Sequence, residues 1–381
     1  MNERESMVWQ ISVWNVAQWL VYSIKDYHLQ FWRLRKLKSS MAEYRVGIVG
    51  CGGIAHFHGK NYNRFDEFEI VSVADINRES VDQYAEEFSV SGKHTNYLDM
   101  FEKEDLDVVS VCTWQGTHAE ITIAAADSGV KGILCEKPMA INLGEADAMI
   151  EACDQSGVKL VVGHQRRFEA IYTEAQKLIA DGIIGQPITV TRRVGSGLLN
   201  WGTHVIDLTR QILGDPETKW VIGQVERKTD RYERRCEIED LCAGIICFEN
   251  DTRFVLEIDM PPPYVNNIFV HGSDGILTSE DGKLKVLNGK EGWQTINPAS
   301  DGEDQWSEFL AWLDGRVETH RCSGKQASYT IEIMMAIYES VRTKGLVEMP
   351  LKTKESPLIM MISAGTLPVE KSGKYDIRVP F

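Results

Sequence analysis

This chain of 381 residues lacks the patterns that mark a metal site, a disulfide framework or a nucleic-acid-binding surface. It has no Cys-x-x-Cys pair and no histidine-rich cluster, so we expect no metal. Its eight cysteines lie mostly inside apolar runs, which favours a reduced, cytoplasmic protein. Positive charge is also scarce. The formal net charge of −15 argues against nucleic acid as a partner, because binding phosphates needs a basic surface.

The chain also lacks an uninterrupted apolar run of the ~20 residues that a membrane-spanning helix needs. The apolar stretch near the N-terminus is broken by Gln10, Asn15 and Gln18, and most of the nearby positive charge follows it, unlike a secretory signal. An amphipathic membrane-surface helix is one alternative for residues 1–40. We favour an N-terminal extension of no functional weight, with Met41 as the natural start, and we expect no membrane partner.

Short runs rich in valine and isoleucine alternate with helical patterns through the first half of the chain. These runs cover residues 44–49, 68–76, 107–114, 131–136 and 159–167. Continuous apolar strands separated by helices are typical of a parallel sheet that is covered on both faces. The pattern predicts an α/β protein whose N-terminal domain, over residues 41–165, is doubly wound.

From about residue 185 the pattern changes to alternating strands that are joined by turn residues, with few helices. Such alternation is typical of a mostly antiparallel sheet with one face covered by helices. We predict a C-terminal α+β domain with a large sheet over residues 166–351. Residues 352–381 are expected to form a mostly irregular tail that packs on the body.

The first apolar run leads directly into a Gly-x-Gly-x-x-Ala fingerprint formed by Gly50, Gly52 and Ala55. Gly50 permits the tight turn, and Gly52 lets the backbone approach a pyrophosphate. The helix that follows offers its N-terminal N–H groups and dipole to the phosphates, so Gly53 and Ile54 belong to the same site. A strand before the fingerprint and a helix after it predict a dinucleotide-binding Rossmann domain.

An acid, Asp75, ends the second apolar run at the position that bonds the adenosine ribose hydroxyls in such domains. Its charge would repel a 2′-phosphate, which favours NAD over NADP. Arg78 leaves NADP possible, because a guanidinium at this turn could offset that repulsion.

A lysine stands at the end of a buried strand, in the sequence Glu136-Lys137-Pro138. Charge at such a position needs compensation. Ligands of open α/β sheets lie outside the carboxyl ends of the strands, so Lys137 is expected to face the cofactor. Glu136 is expected to orient this lysine or to contact the cofactor ribose.

The segments GCGGIA (50–55), CEKP (135–138) and NWGTHVIDL (200–208) together resemble the glucose–fructose oxidoreductase / inositol dehydrogenase / rhizopine-catabolism family. The resemblance covers roughly residues 44–351. It implies hydride transfer between a nicotinamide cofactor and a secondary alcohol of a sugar, sugar derivative or cyclitol. It further implies that Lys137 binds substrate and transfers a proton beside the nicotinamide, where partial desolvation should lower its pKa. Family members also form homo-oligomers, so we expect a dimer or tetramer.

Asn200 and His204 are four residues apart and share a face if the segment is helical. The position of Asn200 is commonly aspartate in the inositol dehydrogenase branch of this family. Asparagine cannot accept a proton, so Asn200 holds the substrate hydroxyl by hydrogen bonds, and Lys137 and His204 carry the proton. Trp201 is expected either to wall the sugar pocket or to be part of the core.

Thr113 and His118 match the family pattern Thr-Pro-x-x-x-His near the nicotinamide, with Trp114 at the proline position. Arg166 and Arg167 are similar to the Arg-Arg-Tyr/Phe run of cyclitol dehydrogenases. We assign Arg166 to the substrate and leave a structural role open for Arg167.

Two other functions stay open at this point. Some relatives keep NAD(P) tightly bound for redox-neutral sugar chemistry, and others are catalytically silent nucleotide-sensing regulators. Lys137 and His204 argue against a silent protein, whereas Asn200 weakly favours one. Loops 227–240 and 260–267 are expected to determine which sugar binds.

Overall fold

The structure is a computed structural model that describes residues 43–261, 267–289 and 291–372. The predicted N-terminal extension, residues 1–40, lies outside the described residues. Within the described ranges, every helix is too short or too polar to span a bilayer.

The N-terminal part of the chain is built on a six-stranded parallel sheet. Its strands are β1 (Tyr44–Val49), β2 (Phe68–Ala74), β3 (Gly92–His94), β4 (Val108–Val111), β5 (Gly132–Cys135) and β6 (Lys159–Val162). They lie in the order β3-β2-β1-β4-β5-β6, and every neighbouring pair is parallel. This doubly wound order confirms the predicted Rossmann domain.

Helices cover both faces of this sheet, as the continuous apolar strands require. They are α1 (Gly53–Tyr62), α2 (Arg78–Phe88), α3 (Tyr97–Lys103), α4 (His118–Asp127) and α5 (Leu143–Ser156). α1 and α2 share one apolar cluster with the sheet, and α4 and α5 share another. Asn77 caps α2 and Asn142 caps α5 with side-chain oxygens that accept backbone N–H bonds, whereas the residue before α1 is Gly52, which has no side chain to cap it.

The second part of the chain forms a nine-stranded, mostly antiparallel sheet and a small separate hairpin. The strands are β7 (Pro187–Val194), β8 (Thr218–Glu226), β9 (Tyr232–Glu233), β10 (Cys236–Glu237), β11 (Leu241–Phe248), β12 (Arg253–Ile258), β13 (Phe269–Gly272), β14 (Gly275–Glu280), β15 (Lys283–Asn288), β16 (Gly292–Ile296) and β17 (Val347–Glu348). The sheet order is β16-β15-β14-β13-β7-β12-β11-β8-β17, and only β7 and β12 pair in parallel. β9 and β10 pair only with each other. A large, mostly antiparallel sheet is therefore confirmed.

One face of this sheet carries helices, and the chain then returns to the parallel sheet. The helices of this part are α6 (Ala170–Ala180), α7 (Thr203–Ile212), α8 (Gln305–Leu313), α9 (Gly324–Thr343) and α10 (Pro357–Ser363). α9 packs along β8, while Trp306 and Phe309 of α8 join the apolar cluster of α1 and α2. The N–H of Val162 in β6 also donates to the carbonyl of Cys322 at 2.8 Å. These contacts pack the second part of the chain against the parallel sheet, and the region between the carboxyl ends of β1, β4 and β5 and the start of α7 is called the cleft.

Some local predictions differ from the structure. The predicted strands 107–114 and 159–167 end at Val111 and Val162, because the chain turns there into loops at the carboxyl edge of the sheet. The tail, predicted to be mostly irregular, contains one short helix among its described residues, α10, which begins with a proline at its first position, where no intrahelical N–H bond is lost. The short β3 and α3 and the β9–β10 hairpin were not predicted.

Candidate active site

The glycine-rich turn after β1 provides both a tight bend and an open surface. Gly50 has φ +88°, and a Cβ there would lie 2.8 Å from the carbonyl carbon and oxygen of Cys112. A Cβ on Gly52 or Gly53 would meet no atom within 4 Å, at least among the described residues. α1 has no side-chain cap and no acid in its first turn, so the N–H groups of Gly53 and Ile54 are available to an anion. The turn fits a dinucleotide pyrophosphate.

Asp75 is held at the end of β2 by two backbone hydrogen bonds. One carboxylate oxygen accepts the N–H of Cys51 at 2.7 Å, and the other accepts the N–H of Asn77 at 2.8 Å. A carboxylate has about four lone-pair positions, so both oxygens can still accept hydrogen bonds from ribose hydroxyls. Arg78 instead donates to Asp82, one turn further along the exposed side of α2, at 3.2 Å. This arrangement fits NAD, because the acid rather than the arginine occupies the ribose position.

Thr113 and His118 connect the loop after β4 to the lysine loop. The buried ring of His118 places Nδ1 2.9 Å from the carbonyl oxygen of Pro138 and Nε2 3.1 Å from that of Thr113. Burial lowers the pKa of His118 in spite of these two contacts. Both ring nitrogens face protein carbonyls, so His118 positions the two loops, while Thr113 lies half-exposed at the cleft.

Lys137 bridges the two domains at the carboxyl end of β5. Its Nζ donates to Oδ1 of Asn200 at 3.0 Å. The buried Glu136 accepts the N–H of Lys137 at 3.2 Å and lies 3.0 Å from Nε2 of His58. Burial alone would raise the pKa of Glu136, but the His58 hydrogen bond and the charges of His58 and Lys137 lower it. Glu136 is therefore a carboxylate that orients the lysine backbone.

Asn200 lies in a single π-helical stretch, Gly197–Gly202, that runs directly into α7. Asp259 fixes the start of this stretch by accepting the N–H groups of Ser196 at 2.6 Å and Gly197 at 2.8 Å. Such turns are frequent at functional sites. The Nδ2 of Asn200 is buried and has no hydrogen-bond partner within the described part of the chain, which leaves it available to a substrate oxygen.

His204 is a buried residue of α7 next to Trp201. Its ring centroid is 5.9 Å from that of Trp201 and 5.9 Å from that of His164. Burial is the main cause that lowers its pKa far below 6.5, and the charges of Lys137 and Arg166 act in the same direction. A neutral imidazole can accept a proton from a hydroxyl group.

The two neighbouring arginines have different surroundings. Arg167 is buried, and it donates to Asp207 at 2.8 Å and to both carboxylate oxygens of Asp215 at 2.9 and 2.8 Å. The guanidinium carbon of Arg166 lies 4.8 Å from the ring centroid of Trp201, at the cleft. Arg167 thus connects α7 to Asp215, whereas Arg166 lies against the ring of Trp201.

His58 lies beside the lysine loop and was not singled out by the sequence analysis. It is fully buried and contacts both Glu136 and the hydroxyl of Ser110, at 3.0 and 2.7 Å. A helical signal was present: Ala55, His58 and Tyr62 follow the i, i+3, i+7 spacing of the buried face of α1.

The arrangement places a glycine-rich turn that fits a dinucleotide on the same side as the ammonium of Lys137. The amide of Asn200 and the neutral imidazole of His204 face them from the second domain. These groups can hold a hydroxyl and take its proton. No group of three or more His, Cys, Asp or Glu side chains that could hold a metal ion occurs in the described ranges.

Known proteins similar to this chain include two sugar or cyclitol dehydrogenases. D-apiose dehydrogenase of Paraburkholderia graminis is 24% identical over 370 residues, which is 86% of this chain and 96% of that protein. Myo-inositol 2-dehydrogenase of Thermotoga maritima is 29% identical over 253 residues, 62% of this chain and 75% of that protein. The crystal structure of WlbA dehydrogenase from Bordetella pertussis, in complex with NADH and UDP-GlcNAcA, has the same fold. It is 21% identical, covers 81% of this chain and 100% of its own, and has a TM-score of 0.67.

Two domain families match the chain. Residues 44–164 match the oxidoreductase family with an NAD-binding Rossmann fold, and residues 189–349 match the C-terminal alpha/beta domain of the same family. Together the matches cover well over half of the chain. This protein therefore belongs to the GFO_IDH_MocA family of NAD-binding oxidoreductases.

Proposed function

We propose that this protein catalyses reversible hydride transfer between the nicotinamide of NAD and a secondary alcohol carbon of a sugar, sugar derivative or cyclitol. The observation that carries the proposal is the 3.0 Å contact between Lys137 Nζ and Asn200 Oδ1. This contact brings the ammonium of Lys137, at the edge of the Rossmann sheet, next to the helical segment that also contains His204. The names of the similar D-apiose and myo-inositol dehydrogenases support a polyhydroxylated substrate.

The residues that would hold NAD are those of the glycine-rich turn and of the strand ends beside it. They comprise Gly50, Gly52, Gly53, Ile54, Asp75, Thr113 and Glu136. When bound, NAD accepts or supplies the hydride, and the protein contributes position and charge. The open space at Gly52 and Gly53 supports this assignment, because a backbone without Cβ atoms lets a pyrophosphate approach.

The substrate hydroxyl would lie between Lys137 and His204, which exchange its proton. The amine of Lys137 accepts the proton of the hydroxyl as the alcohol is oxidised, and the neutral His204 relays that proton. Asn200 fixes the orientation through its Nδ2, which has no hydrogen-bond partner among the described residues. Trp201 offers an apolar ring to the C–H face of a sugar, and the guanidinium of Arg166 lies against that ring.

A screen of NADH formation over aldoses, sugar acids and inositols tests this function. Wild-type protein is expected to reduce NAD with at least one of them, and Lys137→Met is expected to show no turnover above background. Purified protein that carries nucleotide and releases no NADH would instead support a redox-neutral enzyme. Protein that binds NAD and oxidises no member of the panel would support a nucleotide sensor.

We also propose a homo-oligomer, a dimer or tetramer, in a cytoplasmic setting. Ile222 and Ile245 lie opposite each other on the outer face of the nine-stranded sheet and are 42% and 40% exposed, which supports burial against a second copy. All eight cysteines are free thiols, which supports a reducing compartment. Sedimentation of wild-type protein and of Ile245→Glu tests the oligomer, and the variant is expected to dissociate.

A further inference from the structure

The β9–β10 hairpin has a strained tip made of two arginines. Glu233 pairs with Cys236 across the hairpin, so Arg234 and Arg235 are its two turn residues. Their φ angles are +49° and +64°, the left-handed region that two-residue hairpin turns of this kind normally fill with asparagine and glycine. A turn that keeps arginines at both positions, against backbone preference, points to a function for their side chains.

The hairpin belongs to the second domain but is docked on the Rossmann domain. Gln115 Nε2 donates to the carbonyl oxygen of Glu233 at 3.1 Å. The guanidinium carbon of Arg235 lies 5.4 Å from the ring centroid of Trp114. The tip is thus attached to the loop after β4, where Thr113 faces the cleft.

This loop begins beside the glycine-rich turn, since a Cβ on Gly50 would lie 2.9 Å from the backbone nitrogen of Thr113, and it continues towards the lysine loop. His118, at the end of the loop, also contacts the carbonyl of Pro138, the residue after Lys137. Burial lowers the pKa of His118, and the charge of Arg234 adds to this effect, so the guanidinium of Arg234 lies within electrostatic reach of this point.

We propose that Arg234 and Arg235 bind an anionic group, a carboxylate or a phosphoryl group, on the substrate. This inference rests on the proposed oxidation of a sugar and narrows its substrate class to sugar acids or sugar phosphates. Two guanidinium groups match the planar, multidentate geometry of such anions. Lys137 and Arg166 extend the positive charge along the same cleft in a chain whose net charge is −15, which focuses anions on this site.

Substitutions in this turn can remove both arginine side chains without disturbing the backbone of the hairpin. The double variant Arg234→Asn/Arg235→Gly installs the residue types that this turn prefers and removes both cations. Its melting temperature is expected to equal or exceed that of wild type, and its NAD affinity is expected to change less than twofold. Arg316→Asn, at an exposed arginine paired with Asp314 far from the cleft, is the matched control.

The measured quantity is the preference for an anionic sugar over its neutral counterpart. The probes are glucose, galactose and mannose, their uronic acids and their 6-phosphates, each followed by turnover and by fluorescence titration of the NADH-loaded protein. Wild type and Arg316→Asn are expected to prefer an anionic member by about tenfold or more, and the double variant is expected to lose that preference. Uronic acids and phosphates are separate arms and identify which anion binds.

Three outcomes overturn the inference. Wild type that uses or binds neutral sugars as well as their anions would overturn it and leave the proposed oxidation intact. Loss of NAD affinity in the double variant would show that the two arginines bind the cofactor and not the substrate. A protein that binds none of the sugars would reject both proposals, whereas arginine-dependent binding of an anion without turnover would reject the oxidation alone.

Discussion

Nζ of Lys137 and Oδ1 of Asn200 are 3.0 Å apart, and this contact joins the edge of the Rossmann sheet to the π-helical stretch before α7. The acceptor in this contact is a neutral amide. A carboxylate at the same position would favour the charged form of the lysine. We propose that Lys137 and the nearby His204 exchange the substrate proton.

We predict that Asn200→Asp moves the acidic limb of the pH profile of kcat/KM to higher pH. A carboxylate at this position stabilises the protonated forms of Lys137 and His204, raising both pKa values by roughly one to three units. The basic forms that accept the substrate proton then appear only at higher pH. Asn200→Leu is the uncharged control and is expected to raise KM without moving the limb. An unchanged profile in Asn200→Asp would contradict this account.

Two alanine substitutions in the glycine-rich turn are expected to act differently. Gly50→Ala places a Cβ 2.8 Å from the backbone of Cys112 at φ +88°, so it should lower the free energy of unfolding by ~1–3 kcal/mol. Gly52→Ala meets no neighbouring atom in the described structure and should change that free energy by less than ~0.5 kcal/mol. It should weaken NAD binding by about tenfold or more, because the methyl group occupies the approach of the pyrophosphate. Urea unfolding and NAD titration check both; tight NAD binding by Gly52→Ala would refute the assignment.

Arg166 and Arg167 are neighbours in sequence, and we predict that replacing them has different effects on stability and activity. Arg167→Met leaves Asp207 buried without its guanidinium partner and should lower the free energy of unfolding by ~3–5 kcal/mol. Arg166→Met removes a half-exposed guanidinium and should change stability by less than ~0.5 kcal/mol, while raising the substrate KM. Urea unfolding and steady-state kinetics distinguish them. Equal destabilisation by the two substitutions would contradict the different roles.

Four buried histidines should make the protein less stable in mild acid. Burial lowers the pKa values of His118, His164, His204 and His320, the last to about 3. The unfolded chain binds more protons than the folded one below pH 6.5, so the free energy of unfolding decreases as the pH falls, by up to ~1.4 kcal/mol per pH unit for each histidine.

Urea unfolding between about pH 7 and about pH 5 measures this slope. His320→Gln keeps a polar group beside the carbonyl of Gln305, which lies 3.1 Å from Nε2 of His320, and should reduce the slope. A free energy of unfolding that is constant over this range, or an unchanged slope in the variant, would contradict the assignment of neutral histidines.

The sequence alone predicts the positions of residues that directly follow a strand or begin a helix. Gly50 and Gly52 follow a strand and open a helix, and Lys137 follows a strand, so adjacent apolar periodicity is sufficient to place them at the cleft. Contacts between distant segments are not encoded in such patterns. His58 with Glu136, Arg167 with Asp215, and the docking of Arg235 on Trp114 depend on how separate elements pack. The π-helical turn at Asn200 likewise depends on Asp259, which is remote in sequence.

The central claim is that an amine at position 137 exchanges the substrate proton, and chemical rescue tests it most directly. The single-turnover rate of NADH formation is measured for wild type and for Lys137→Ala, with and without added ethylamine, at saturating NAD. We expect the alanine variant to lose about 10²–10⁴-fold in rate, to bind NAD normally, and to recover activity in proportion to the ethylamine present. A rate close to that of wild type in the absence of the amine would show that the proton is handled elsewhere.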